Sequence, residues 1–232
     1  QIALSYTPNG GDQNHTDAAR AAGRLLMTWA DFYTLVSEPT KSKILLCMTN
    51  YPKAYKNNRQ GEGSIKVSET ILDDRTGIVD ENGAAKPCWS VWGESIAAMG
   101  FWAAYVVTGL GDFREIALDL CRSVIRNGIF LVPSGQWRVC TYVEALPNGA
   151  SLPFDAYTLA PIGQARSITV GDEGWWTWTM PALLILAKQE GETTEEGLCA
   201  IEVIRQKLAG GPSDWNAAEW FACVDYSSLI GR

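Results

Sequence analysis

The residues with chemical potential in this chain are tryptophans that stand beside carboxylates. They occur as Cys88-Trp89-Ser90-Val91-Trp92-Gly93-Glu94 and as Asp172-Glu173-Gly174-Trp175-Trp176-Thr177-Trp178. A looser version has Asp214-Trp215 and Glu219-Trp220. A flat indole offers a face on which the apolar side of a sugar ring stacks, and a neighbouring carboxylate accepts hydrogen bonds from sugar hydroxyls. Two carboxylates at a suitable separation also divide acid and base roles in glycoside cleavage. On this reading Glu94 and either Asp172 or Glu173 are the candidate catalytic acid and base. Trp89, Trp92, Trp175, Trp176 and Trp178 are the candidate substrate-binding rings, with Trp137 and Tyr142 added from a predicted strand. Each residue has a plain structural use as well. A tryptophan at a helix start plugs the gap between packed layers, and an acid in a first turn suits the helix dipole.

Other chemistries find little to work with. His15 is the sole histidine of the 232 residues, so histidine triads and histidine metal clusters are disfavoured. Cys47, Cys88, Cys121, Cys140, Cys199 and Cys223 show no close pairing, which argues for buried thiols rather than a zinc site. No metal or cofactor is expected, since phosphate-binding glycine loops and dinucleotide fingerprints are absent. The formal net charge of −7, with no basic run, makes nucleic acid an unlikely partner by simple repulsion. The longest uncharged stretch, Ser95 to Gly111, is 17 residues, short of the roughly 20 that a membrane span needs.

The elements that must position these residues are helical. The spacing predicts a helix from Thr16 or Asp17 to about Ser37, then a shorter one from Lys41 to about Asn50 that stops before Pro52. From Trp89 to Thr108 the chain is apolar on all sides with Glu94 its only charge, as expected of a surrounded inner helix. Gly109-Leu110-Gly111 turns the chain, Asp112 with Glu115 reads as a capping box, and an amphipathic helix runs to a terminal Gly128. Trp175 to Ala187 repeats the inner pattern. Thr193 with Glu196 reads as its capping box, and Leu198, Ile201, Ile204 and Leu208 as the stripe of the outer helix that follows. Residues 1–15 read as a flexible lead-in and 129–170 as an irregular, partly β insertion with a strand at Trp137–Val143. A last helix after Ser213 carries Trp215 and Trp220. The expected fold is mainly α: one domain, 1–232, built as an array of about three helical hairpins with a small β-containing insertion. Its inner helices would all begin on one rim.

Thr76-Gly77-Ile78-Val79-Asp80, the Trp89–Glu94 segment and Ala103 to Asp112 together resemble the repeat of six-hairpin (α/α) toroid proteins. That superfamily includes glycoside hydrolases and polysaccharide lyases. In it a loop precedes an inner helix opening on Trp and an acid, and a Tyr…Thr-Gly-Asp turn leads to an outer helix. The likeness covers 76–128 well and 172–210 loosely, and implies a partial toroid that handles carbohydrate. No adjacent Asp-Asp pair stands at an inner helix start, as some toroid mannan hydrolases have.

Two functions follow from the sequence. One is a carbohydrate-binding or glycoside-hydrolase-like domain with a glycan as partner. The other is a structural or assembly module with no enzymatic activity. The start at Gln1 rather than Met, and an array that stops partway through a fourth hairpin, lead to the expectation of further chain segments or subunits completing it.

Overall fold

The computed structural model describes residues 18–60, 64–65, 78–86, 88–144, 168–170 and 176–209. The lead-in, the helix expected after Ser213 and the segment holding Asp172, Glu173 and Trp175 lie outside the described residues. What is described is mainly helical, with a small sheet.

Three hairpins form as the periodicity predicts. The first pairs α1 (Ala18–Leu35) with α2 (Thr40–Met48). It continues into α3 (Asn50–Asn58) where a stop was expected. Pro52 is tolerated because it falls in the first turn of α3, where backbone N–H groups have no intrahelical acceptor. Strands β1 (Arg59–Gln60) and β2 (Ser64–Ile65) then make a small antiparallel pair. The second hairpin joins α4 (Val91–Thr108) to α5 (Gly111–Gly128). The third joins α6 (Trp176–Gln189) to α7 (Glu195–Ala209) through a short turn at Gly191–Thr193. One apolar core runs through all three, with Trp29, Trp102, Phe113 and Trp176 among its fully buried side chains.

The contacts set the directions of the helices. Helix α1 lies along α4 so closely that a Cβ added at Gly23 would sit 2.2 Å from the Ile96 carbonyl oxygen, and one at Gly100 2.4 Å from that of Gly23. Arg20 meets Trp92 one turn earlier, so the two helices run parallel. Helix α5 returns antiparallel: Gly128 meets Val91, and Ser123 meets Glu94. Helix α6 follows α4, with Ser95 bonded to Thr179 and Ala182 near its start and Arg114 of α5 reaching Gln189 at its end. The inner helices α1, α4 and α6 therefore start at one end of the array and finish at the other.

A sheet lies at the starting end. Strand β5 (Trp137–Glu144) pairs antiparallel with β3 (Cys88–Ser90), β4 (Ile129–Leu131) and β6 (Ile168–Val170). Strand β3 runs directly into α4, β4 leaves α5, and β6 precedes α6. Gln206 of α7 ties its own end to this sheet by accepting from the Trp137 N–H and donating to the Gly135 carbonyl, at 2.8 and 2.7 Å.

Several local expectations shift by a residue. Trp89 belongs to β3, because Ser90 caps α4 by accepting from the Gly93 N–H at 3.1 Å. Asp112 falls inside the first turn of α5, whose N-cap is Leu110. Gly128 is no left-handed terminator: its successor Ile129 is extended, and glycine is required because a Cβ would come 2.3 Å from Val91 Cγ1. Thr194, not Thr193, caps α7 by accepting from the Gly197 N–H at 3.0 Å. Of the stripe expected on α7, Ile204 packs against the core, but Leu198 is exposed and Cys199, Ala200 and Val203 are the buried residues.

Candidate functional site

The helix starts that carry tryptophan and acid come together as neighbours. Ser95 Oγ, in the second turn of α4, donates to the Thr179 carbonyl at 3.2 Å and accepts from the Ala182 N–H at 3.3 Å. Ser90, just before α4, is register partner to Tyr142 on β5, which in turn pairs with Thr169 on β6. The first turns of α4 and α6 and the middle of β5 thus share one edge of the molecule.

The rings along that edge divide into two sets. Trp137 and Trp176 are only 2% exposed and belong to the core, so neither offers a face to a ligand in this conformation. Lys207 of α7 lies with its ammonium 4.5 Å from the centre of the Trp176 ring. Trp92, Trp178 and Tyr142 are partly exposed. The Arg20 guanidinium stands 5.1 Å over the Trp92 ring, a cation–π contact that fixes the indole from the α1 side. Tyr142 packs against Ile78 and Cys88, beside an ion pair between Lys86 and Glu144 at 3.0 Å. Trp89 is placed by its backbone, which pairs with Val143. Asp172, Glu173 and Trp175 lie outside the described residues.

Glu94 points into the protein. It is 1% exposed, and its Oε2 accepts from Ser123 Oγ at 2.8 Å across the α4–α5 interface. Asn127 Nδ2 donates to the same Ser123 oxygen at 3.1 Å and to the Ser123 carbonyl at 3.0 Å. A carboxylate removed from water needs such donors, since burying an unsatisfied polar group costs on the order of 1–3 kcal/mol. The sequence suggested Glu94 as a surface acid; Ser123 and Asn127, which hold it, carried no signal because they lie on the next helix.

The remaining buried charges are structural pairs. Arg122 bonds both carboxylate oxygens of Glu190 and lies 3.3 Å from Asp119. Arg126 bonds Glu196. Burial opposes charging Glu196, but a backbone hydrogen bond, Arg126 and Arg122 hold its carboxyl below the ordinary value. Burial pushes the Cys199 thiol up to about 12, aided by Glu196 and Glu202. Cys121 is raised further still, by burial and by Glu190 against the pull of Arg122. Both thiols stay protonated near neutral pH and are poor nucleophiles. Among the described residues no three His, Cys, Asp or Glu side chains cluster as a metal would need. Nor is any described helix long and apolar enough to cross a membrane.

No protein-family model matches the chain, and no curated protein matches it in sequence.

Proposed function

We propose that the chain binds carbohydrate along the edge where α4 and α6 begin. The observation that carries this reading is the Ser95 contact with Thr179 and Ala182, which sets the two tryptophan-bearing helix starts side by side. Trp92, Trp178 and Tyr142 supply partly exposed rings there. Asp172 and Glu173 stand a few positions before α6 in sequence and are the acids assigned to sugar hydroxyls. Aromatic faces with a few polar groups beside them suit sugars, which present both C–H faces and hydroxyls. The burial of Glu94 favours binding over cleavage, because an acid or base must reach the glycosidic oxygen or a water next to it.

Titration of tryptophan fluorescence with a panel of soluble neutral and acidic polysaccharides tests the proposal. Saturable binding to at least one is expected, weakened roughly tenfold or more in Trp92→Ala and in Trp178→Ala. Glu94→Gln should still bind. A flat response across the whole panel would sink the reading. Release of reducing ends that vanishes in Glu94→Gln would instead give Glu94 a catalytic role.

A second reading, an assembly module without enzymatic activity, has a separate observation in its favour. Several large apolar side chains are exposed at the opposite end of the array. The two readings use different ends of the molecule and are compatible.

A further inference from the structure

Four Asn-Gly pairs stand in the chain, at residues 9–10, 82–83, 127–128 and 148–149. The pair is chemically labile, because the backbone nitrogen of the second residue can attack the asparagine side chain at Cγ. A glycine in second place has no side chain to hinder that approach. The first and last pairs lie outside the described residues. The other two stand in opposite surroundings.

Asn82-Gly83 forms the tip of a tight hairpin. Val79 bridges Ala85, the Lys86 N–H donates to the Ile78 carbonyl at 3.0 Å, and the Asp80 N–H donates to that of Ala84 at 2.8 Å. At the tip the Gly83 N–H donates to the Asp80 carbonyl at 3.1 Å, and Gly83 takes a left-handed φ of 80°. A turn of this form demands glycine at that place, so the backbone requirement itself creates the labile pair. Residues 81–84 are exposed. The Asp80 carboxylate accepts from the Asn82 and Ala84 N–H groups at 2.8 and 2.9 Å. Both bonds engage backbone, and among the described residues no hydrogen bond holds the Asn82 side-chain amide. Asn127-Gly128 ends α5 instead. Asn127 is 5% exposed, its Nδ2 donates twice to Ser123, and Gly128 packs on Val91.

We infer that Asn82 is a site of spontaneous deamidation in the folded protein, and that Asn127 is shielded from it. The Gly83 N–H first leaves the Asp80 carbonyl, a local opening of one exposed turn that costs little. The Gly83 nitrogen loses its proton and bonds to Asn82 Cγ, and the side-chain nitrogen departs as ammonia. Water then opens the succinimide ring. Attack at the carbonyl on the Cγ side leaves aspartate, and attack at the main-chain carbonyl leaves isoaspartate. In isoaspartate the backbone runs through the former side chain and is one methylene longer. The hydrogen bonds from Gly83 to Asp80 and from Asp80 to Ala84 then cannot both stay in register. That hairpin carries Ile78, which packs with Cys88 and Tyr142 at the edge where α4 begins. Isoaspartate at 82 therefore loosens Ile78 from this small cluster and uncovers Cys88, which is fully buried before conversion. The inference does not depend on carbohydrate binding.

Holding the folded full chain at mildly alkaline pH, with mass spectrometry of its peptides over time, tests it. The Asn82 peptide should gain one dalton at least about tenfold faster than the Asn127 peptide, since a buried site reacts only from its opened fraction. In urea, where both pairs are unfolded, the two rates should come within about threefold of each other. Asn82→Gln, whose longer side chain would have to close a larger ring, should stop conversion at this position with no change in the circular dichroism spectrum. After incubation the wild type should label at Cys88 with a thiol reagent at least about tenfold faster than before, and Asn82→Gln should show no such rise. Asn82→Asp adds the charge without lengthening the backbone, and should leave Cys88 as protected as in the fresh wild type. A folded chain in which Asn82 converts no faster than Asn127 overturns the proposal. Cys88 labelling that stays at its starting rate while isoaspartate accumulates overturns the link from the turn to the Tyr142 cluster.

Discussion

Helix α5 takes carboxylates out of water on two of its sides, and it does so by different means. Towards α4 it meets Glu94 with the hydroxyl of Ser123, itself held by Asn127. Towards the third hairpin it meets Glu190 and Glu196 with the guanidinium groups of Arg122 and Arg126. The first contact lies inside the core, where a cation beside the acid would mean taking a second charge out of water. The second lies near the surface, with the arginine side chains 34% and 23% exposed, so charge meets charge at a modest desolvation penalty. The deeper acid meets a hydroxyl of α5, and the two shallower ones meet its guanidinium groups. The two contacts should therefore respond to mutation and to pH in different ways.

Removing the core acid should cost most. Glu94→Ala strands the Ser123 and Asn127 donors and opens a cavity, so a loss of about 3–5 kcal/mol is expected in urea unfolding. Glu94→Gln keeps a carbonyl oxygen that accepts the Ser123 hydroxyl, and should cost no more than about 1 kcal/mol. If the two variants lost the same amount, the charge itself rather than the hydrogen bond would be what the interior holds. At the edge, Arg126→Ala should cost about 1–2 kcal/mol, because Glu196 is mostly buried yet can recover some water. Raising salt should narrow the gap between wild type and Arg126→Ala while leaving the Glu94→Ala loss nearly unchanged. Equal salt responses would break the distinction between the two sides of α5.

How much of this was legible depends on the distance between partners. The inner character of α4 is plain from its uncharged run, and the strand at Trp137 from its β-branched and aromatic residues. Helix caps were placed within a residue or two, since capping signals at Ser90, Thr193 and Thr194 compete locally and only the final backbone path selects among them. The inward face of α7 departs in part from the expected stripe: Ile204 packs against the core as expected, but Leu198 does not, for a tertiary reason. Gly197 packs so tightly on the Gly191 carbonyl, where a Cβ would come within 2.2 Å, that the helix turns Cys199 and Val203 inward and Leu198 out. Pairings between helices, such as Glu94 with Ser123 or Gly23 with Gly100, leave no periodic trace. The same limit applies to the candidate site. Local sequence does not separate Trp137 and Trp176, which fill the core, from Trp92 and Trp178, which stay partly exposed: all four stand near element starts, and Trp137 is buried although Gln136 and Arg138 flank it.

The smallest effect expected is on the acid side of the pH profile. The Glu196 carboxyl is held below its ordinary value of 4.5 once Arg126, Arg122 and a backbone hydrogen bond overcome its burial. A carboxyl lowered by folding contributes stability that is fully present above its unfolded value and is lost as pH falls through its folded one. Part of the stability should therefore fade as pH drops below about 4.5, the unfolded reference for Glu196. In Glu196→Gln, which keeps the shape and removes the titration, the loss of stability on acidification should be shallower than in the wild type. Denaturant midpoints compared at neutral pH and at successive steps below 4.5 would measure it. Profiles that stay parallel would mean that the Arg126 pair contributes nothing linked to protonation.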